Sequence, residues 1–295
     1  MEEQREMQRL QRKLRTLREK AIIKHMKKLL KTIWSVAWPV GIYLLISVVV
    51  ETGYSLYLIF REYFAAGTFD MNHIIDIAME QSLNTTGVVS LISMIVFIII
   101  IAADRKKHPE DKEKTYPNVT AAAFMAAIGC CLVGNLVLAW MGITANDEAF
   151  NQLSDIIANS ALWVQILVTV FLGPVTEELL FRGIVYRRIE RSYGFRAGAI
   201  VSALLFGALH GNISQFIYAF LLGMLFAYGY FKSGHLWVCI LMHLLANAAS
   251  MIVEPAAIAF GDSEAFYIAA FAVGVILLVT GLIMMIKSPE ESKKR

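Results

Sequence analysis

Two adjacent carboxylates, Glu177 and Glu178, lie near the end of an apolar stretch, and Arg182 follows Glu178 by four residues. An ionisable side chain costs about 2.5 to 3.5 kcal/mol at the middle of a membrane span, so three of them together predict a polar cavity with specific partners. Glu178 and Arg182 share one face of a helix and can pair, whereas Glu177 is rotated by about 100° and can face elsewhere. A partly desolvated carboxylate of this kind suits a general base.

Two further apolar segments carry histidines that could complete such a site. Phe206 and His210 are four residues apart, as are His243 and Asn247, so each pair lies on one helical face. A single histidine in a span is more often a structural hydrogen-bonding group, but two of them with an asparagine and a pair of acids favour chemistry. Histidine can share a water with a carboxylate base, and a second histidine and an amide can donate to the oxyanion formed at a carbonyl. We therefore expect acid/base chemistry inside a membrane.

The composition is that of a multi-pass membrane protein. Hydrophobic residues fill 57% of the 295 positions and charged residues only 17%, with a mean hydropathy of +0.58, which excludes an ordinary soluble domain. The three cysteines lie in apolar runs and predict no disulfide framework. Basic residues flank the apolar runs, a pattern that indicates orientation in a membrane and predicts no nucleic-acid partner.

The predicted fold is an all-α polytopic bundle of about eight spans, since a span needs about 20 apolar residues. We place the spans near 34–60, 87–103, 119–143, 161–181, 197–211, 214–231, 235–254 and 266–286. Small residues recur every four positions in the fifth and sixth spans and predict that these two pack closely. These residues are Ala199, Ala203, Gly207 and Gly211 in the fifth span and Ala219, Gly223 and Ala227 in the sixth.

The loops predict a cell-membrane protein with both termini in the cytoplasm. The N-terminal segment, the loop around Lys106 and the C-terminal tail are basic, whereas 144–160 and 254–264 contain no Lys or Arg. Residues 1–31 carry eleven Lys or Arg with apolar positions every three or four residues, which predicts a basic amphipathic helix. This helix would lie on anionic headgroups, form a short coiled coil or bind a partner.

Four regions follow from these features. They are a cytoplasmic basic helix (1–33), N-terminal spans (34–143), a catalytic core (144–254), and a last span with a cytoplasmic tail (255–295).

The three polar segments resemble, in order, the EExxxR, FxxxH and HxxxN motifs of the CAAX prenyl endopeptidase and bacteriocin-processing (CPBP, or Abi) family of intramembrane proteases. The matching positions are 177–182, 206–210 and 243–247, and the similarity extends over about 165–250. The resemblance implies peptide-bond hydrolysis within the membrane, with a peptide or protein substrate that can be lipidated.

The resemblance also implies a role for each motif residue. Glu177 would activate water together with His210, and His243 with Asn247 would form the oxyanion site. Glu178 and Arg182 would hold the first acid in place, with Phe206 in support.

Three alternatives remain open on sequence alone. A zinc ion could be held by Glu177, His210 and His243, although a metal-free enzyme without a cofactor is favoured because asparagine is an unusual zinc ligand. The same pocket could serve a non-catalytic binding or bacteriocin-immunity protein. Buried Glu and His would also suit a proton-coupled transporter.

The depth of His210 poses a geometric problem. At about 1.5 Å per residue, a straight helix from Arg196 carries His210 about 21 Å away, too far from a Glu177 near the end of span four. We expect either a strong tilt or a dip of 192–198 into the membrane.

Overall fold

The computed structural model describes residues 2–68, 70–109, 119–260 and 263–288, which are helical with no strand among them. Most of the predicted basic loop and the tail after Ser288 lie outside these residues. The helices are α1 (Glu2–Ala66), α2 (Met71–Glu80), α3 (Ser82–Lys107), α4 (Val119–Trp140), α5 (Glu148–Asn159), α6 (Leu162–Ala208), α7 (Ile213–Ser233), α8 (Leu236–Ala259) and α9 (Glu264–Lys287).

Within the described part of the chain, seven helices are long and apolar enough to cross a membrane. The chain is therefore a multi-pass α-helical membrane protein, and the predicted fold class is confirmed. The count is seven where we expected about eight because the predicted spans 161–181 and 197–211 lie in one helical run, α6. The short helices α2 and α5 occupy segments where no element was predicted.

α6 doubles back at Gly194. This glycine has φ 83° and ψ 174°, a conformation that residues with a side chain rarely adopt. The arm after it, 195–208, packs against the arm before it, since a Cβ on Gly198 would lie 3.0 Å from the Tyr186 ring. Further along, the rings of Phe181 and Phe206 are 5.2 Å apart. α6 is thus a helical hairpin whose two arms correspond to the fourth and fifth predicted spans.

The turn of this hairpin lies beside the basic part of α1 and the end of α3. Lys28 of α1 donates to the Ser192 carbonyl at 2.6 Å, just before the turn. Arg188 of α6 forms a 2.7 Å ion pair with Asp104 of α3. These contacts place the N-terminal helix and the end of α3 at one end of the bundle.

The ends of α7 and α9 lie at the same end. The rings of Phe195, next to the α6 turn, and Phe231 of α7 are 4.4 Å apart. Lys232 of α7 donates to the carbonyl of Ser288, which follows α9, at 3.2 Å. The basic ends therefore share one side of the bundle, and that this side is cytoplasmic stays a prediction.

Small residues allow the helices around the polar segments to approach closely. A Cβ on Gly223 of α7 would lie 3.0 Å from the Cβ of Ala203 in α6, and one on Gly207 would lie 2.8 Å from the Phe216 carbonyl oxygen. The predicted close packing of the fifth and sixth spans is confirmed. α4 and α9 meet in the same way, because a Cβ on Gly129 would lie only 2.3 Å from the α9 backbone.

α1 continues without a break from the basic segment into the first predicted span. Its 65 residues reach about 97 Å at about 1.5 Å per residue, three times the ~30 Å of a bilayer core. The basic half therefore extends beyond the hydrocarbon. Met7, Leu10, Leu14 and Leu17 on its apolar stripe are each more than half exposed. The predicted basic helix is present, and what its stripe contacts stays a prediction.

Asp147 anchors the turn that joins α6 to α7. Its carboxylate accepts from the Ser214 N–H at 2.8 Å and from the Phe150 N–H at 3.1 Å, so it caps both α7 and α5. The Ser214 hydrogen bond is the main reason that the pKa of Asp147 lies below its usual range. These two hydrogen bonds hold the start of α7 in place, shortly after His210.

Candidate active site

The first arm of α6 changes its winding around the two carboxylates. Gly173–Glu178 is a short α-helical segment between two π-helical ones, Ile166–Leu172 and Leu179–Tyr186. A π-helix pairs residue i with i+5 and is found mostly as short insertions, frequently at functional sites. These segments were not predicted, since Pro174 indicated only a kink.

Pro174 explains how Asn247 reaches this arm. In the first π segment, Gly173 N–H donates to the Val168 carbonyl five residues back. The next carbonyl, that of Thr169, would take the N–H of Pro174, and proline has none. Asn247 of α8 supplies the missing donor, with its Nδ2 2.8 Å from the Thr169 oxygen. The amide is therefore fixed to the helix that carries the carboxylates.

Glu178 and Arg182 form a buried ion pair on one face of this arm. Arg182 Nη1 donates to Glu178 Oε1 at 2.7 Å, and both side chains are 0% exposed. Arg182 Nη2 also donates to the Gly223 carbonyl at 3.0 Å. The guanidinium lies over the rings of Phe206 and Phe226, at 4.7 and 5.3 Å. The predicted pair is present and is enclosed by aromatic rings, which strengthens its electrostatic interaction.

His243 lies between the two carboxylates. Its Nδ1 is 3.0 Å from Glu178 Oε1, and its Nε2 is 3.6 Å from Glu177 Oε2. A carboxylate only accepts hydrogen bonds, so the short contact assigns a proton to Nδ1. Phe206 and Phe226 flank the imidazole, with centroids 5.5 and 4.9 Å away. The buried ion pair therefore orients His243 toward Glu177.

Glu177 differs from Glu178 in exposure. Its side chain is 27% exposed, against 0% for Glu178. The expectation that the adjacent acids face different surroundings is confirmed: one lies in the packed interior and the other reaches accessible space. Glu177 is thus the more accessible of the two carboxylates.

His210 reaches the site through the hairpin. Phe206 of the second arm packs on Phe181 of the first. Because the arms are antiparallel, a residue four positions after Phe206 is expected opposite the residue four positions before Phe181. This register predicts that His210 lies at about the level of Glu177. The expected tilt or dip is not needed, because the first arm extends to about residue 193 and Glu177 is far from its end.

The orientation of His210 is set by backbone. Its Nδ1 is 2.8 Å from the Phe206 carbonyl, which can only accept, so Nδ1 carries the proton and Nε2 is left as an acceptor. Its ring contacts Phe206 edge to face at 4.9 Å. Both imidazoles thus contact the Phe206 ring, and His243 is the histidine in direct contact with the carboxylates.

The zinc alternative for Glu177, His210 and His243 stays a prediction. Across the described ranges, no group of three or more His, Cys, Asp or Glu side chains could hold a metal ion. Glu177 and His243 are close, with Oε2 3.6 Å from Nε2, whereas the ring of His210 contacts Phe206.

Sequence reasoning missed three contributors to this site. Phe226 covers both Arg182 and His243, while the carbonyls of Gly223 and Thr169 accept from Arg182 and Asn247. Phe226 lies one helical turn after Leu222 on an apolar helix, and nothing in its type separates it from other core aromatics. The two carbonyls carry no side-chain signal, although the proline five residues after Thr169 indicates one of them.

Comparison with known proteins agrees with the position of this site. A family model described as "Type II CAAX prenyl endopeptidase Rce1-like" matches residues 159–249, the range that holds all three polar segments. The "Putative membrane peptidase YdiL" of Bacillus subtilis (strain 168) is 23% identical over 184 residues, which are 59% of this chain and 75% of that protein.

A second relative matches over a shorter range. An "Uncharacterized 24.3 kDa protein" of Escherichia coli is 33% identical over 92 residues, 29% of this chain and 42% of that protein. No solved structure matches the chain. Residues 159–249, with their EExxxR, FxxxH and HxxxN motifs, are thus similar to the CAAX-protease-like (CPBP, Abi) family.

Proposed function

We propose that this chain is an intramembrane endopeptidase that hydrolyses a peptide bond with water activated at Glu177. The observation that supports this most is the placement of His243 between an accessible and a buried carboxylate, at 3.6 and 3.0 Å. The family resemblance supports a protease, and the site geometry suggests how each group would act.

Glu177 is the proposed general base. It accepts a proton from water as the water oxygen bonds to the carbonyl carbon of the substrate. His210 would assist, because its Nε2 is an acceptor once Nδ1–H is held by the Phe206 carbonyl. The water would thus be held by two acceptors, which orients its lone pair toward the substrate.

His243 is placed to share the proton that Glu177 takes up. With Nδ1–H donated to Glu178, a neutral His243 would present a lone pair to the Glu177 carboxylate. Two acceptors facing each other are unfavourable, so a proton between Nε2 and Oε2 stabilises the contact. The buried pair of Glu178 with Arg182 acts as a positioning element for this histidine.

Asn247 is the proposed oxyanion donor. The resemblance pairs it with His243, but both ring nitrogens of His243 face the two carboxylates in this geometry. One hydrogen of the Asn247 amide is used on the Thr169 carbonyl, and the second remains for the negative charge that develops on the substrate oxygen. When the tetrahedral intermediate collapses, the C–N bond breaks and the departing nitrogen takes the proton held at Glu177. The products are a new carboxyl group and an amine. No step requires a cofactor or a metal ion.

The proposed substrate is a membrane-associated peptide or protein, which can carry a lipid. The described site lies in a helical hairpin of a membrane bundle, so a substrate would have to enter from the bilayer or its edge. The basic end of the bundle is the proposed cytoplasmic side.

Turnover by purified protein tests the proposal. The full chain in lipid nanodiscs would be incubated with peptides that carry or lack a prenylated cysteine, in water enriched in ¹⁸O. We expect one ¹⁸O atom in each new carboxyl group, because water is the nucleophile. Glu177→Gln should lower turnover by at least about 100-fold. Glu190→Gln is the matched control, as this carboxylate lies on α6 next to Tyr186 and Arg187, outside the site.

Two results would contradict the proposal in different ways. Wild-type turnover by the Glu177 variant would show that another group is the base. Saturable peptide binding without any turnover by the wild-type protein would instead support a non-catalytic binding protein.

A further inference from the structure

A cavity lined by several charged residues lies away from the proposed active site, at the basic end of the bundle. It has a volume of about 540 Å³, within the range of small-ligand pockets. α1, the end of α3 and the α6 segment before Gly194 enclose it. Its lining includes five Lys or Arg and one acid, namely Lys28, Lys31, Lys107, Arg188, Arg191 and Asp104.

Arg188 is a fixed part of the cavity wall. Its side chain is only 9% exposed and forms a 2.7 Å ion pair with Asp104. A second nitrogen donates to the Ser35 carbonyl, and the guanidinium lies 5.0 Å from the centre of the Trp38 ring. Among the described lining residues, Asp104 is the acid and is already paired with Arg188, while Lys28, Lys31 and Lys107 add positive charge.

Lys28 is held in position at the same cavity. Its Nζ donates to the Ser192 carbonyl at 2.6 Å and lies 4.9 Å from the centre of the Tyr193 ring. A hydrogen bond to a carbonyl orients the ammonium without neutralising it. Lys31 and Lys107 are exposed at the edge of the same cavity. Cations from three helices thus converge on one space.

Like charges that surround one cavity repel each other unless an anion lies between them. Ammonium and guanidinium groups that converge at the end of membrane helices suit the phosphate of a lipid headgroup. Trp38 on the wall is a residue type typical of the membrane–water interface. We propose that this cavity binds a phosphate group, as carried by the headgroup of an anionic phospholipid. Binding would join α1 to α3 and α6, and it is independent of the proposed protease activity.

Binding by purified protein tests this site. The full chain in a neutral detergent would be titrated with short-chain phosphatidylglycerol, short-chain phosphatidylcholine and inorganic phosphate. Lys31→Gln/Lys107→Gln removes two exposed cations of the cavity. Lys24→Gln/Lys27→Gln is the matched control, since it removes the same charge from exposed positions of α1 that do not line the cavity.

We expect saturable phosphatidylglycerol binding by the wild-type and control proteins, with at least about tenfold weaker binding by the cavity variant, because charge-assisted hydrogen bonds are lost. Competition by inorganic phosphate would support the phosphate as the recognised group. Binding of inorganic phosphate alone would support the phosphate site and overturn the lipid as its source. Equal losses in the two variants, or no saturable binding of either anion, would overturn the proposal.

Discussion

Replacing Asn247 by alanine should damage both stability and catalysis, for two separable reasons. The Thr169 carbonyl would lose the 2.8 Å donor that replaces the missing N–H of Pro174. A buried acceptor left without a partner costs about 1 to 3 kcal/mol, which should appear as a lower free energy of unfolding. Loss of an oxyanion donor costs about 2.7 to 4 kcal/mol of transition-state stabilisation, so kcat should fall about 100-fold or more with little change in KM.

A second substitution separates these effects. Pro174→Ala places an N–H five residues after Thr169, where the π-helical register can use it. Pro174→Ala/Asn247→Ala should therefore recover part of the lost stability. Its kcat should stay as low as that of the single Asn247 variant, because the backbone N–H cannot reach the substrate.

Unfolding in mixed micelles, followed by tryptophan fluorescence, and single-turnover peptide hydrolysis would measure the two quantities. The Pro174→Ala single variant is the control for any change in helix geometry. Recovery of kcat together with stability in the double variant would refute the oxyanion role and leave Asn247 as a purely structural residue. Unchanged stability in Asn247→Ala would refute the role assigned to its bond with Thr169.

Two further predictions follow from the ion pair and from the basic end of the bundle. Glu178→Gln should lower the free energy of unfolding by about 3 to 5 kcal/mol, because Arg182 would stay buried without its charge partner. Chemical unfolding measures this loss, with Glu190→Gln as the control. A loss below about 1 kcal/mol would contradict the prediction. In a cysteine-free variant, a cysteine introduced at Lys106 should be protected from an impermeant thiol reagent in intact cells and should react after permeabilisation. A cysteine introduced at Asn159 should react in intact and in permeabilised cells. Labelling of the Lys106 position in intact cells would reverse the predicted topology.

The fold class and most residues of the candidate site could be predicted from the sequence because both depend on residue type and local spacing. Apolar runs predict helices in lipid, and an acid four residues before an arginine predicts the pair of Glu178 with Arg182. The stripe of Ala203 and Gly207 likewise predicted which helices would approach closely. These are short-range patterns, and the structure confirms each of them.

The path of α6 could not be predicted from the sequence because its residues 187–193 resemble a loop. Residues 187–193 are rich in Arg and Glu, which suggested that the span ended near 181. In the structure the helix continues, since Arg188 pairs with Asp104 of α3 and donates to the Ser35 carbonyl of α1. Long-range partners stabilise the helix there, and they cannot be read from one segment. The depth problem of His210 arose from this early end.

The contact of His243 with both carboxylates was missed for a related reason. A one-turn spacing predicts that two side chains share a face, but it does not predict which neighbouring helix that face meets. The resemblance paired Glu177 with His210, and the structure adds His243 between the acids. Only the packing of α8 against α6 supplies this information.

Pro39 and Pro174 each leave a helix carbonyl without its backbone donor, and a sequence can indicate which carbonyl that is. Proline within a helix leaves a carbonyl on the preceding turn without an N–H, and no water is available in a bilayer core to replace it. Pro174 leaves the Thr169 carbonyl, which accepts from Asn247, and Pro39 leaves the Ser35 carbonyl, which accepts from Arg188. In both cases the donor comes from another helix, once in the proposed active site and once in the proposed phosphate site. Pro39 and Pro174 therefore each indicate a carbonyl that accepts from a polar side chain of another helix, and that side chain lies in a candidate site in both cases.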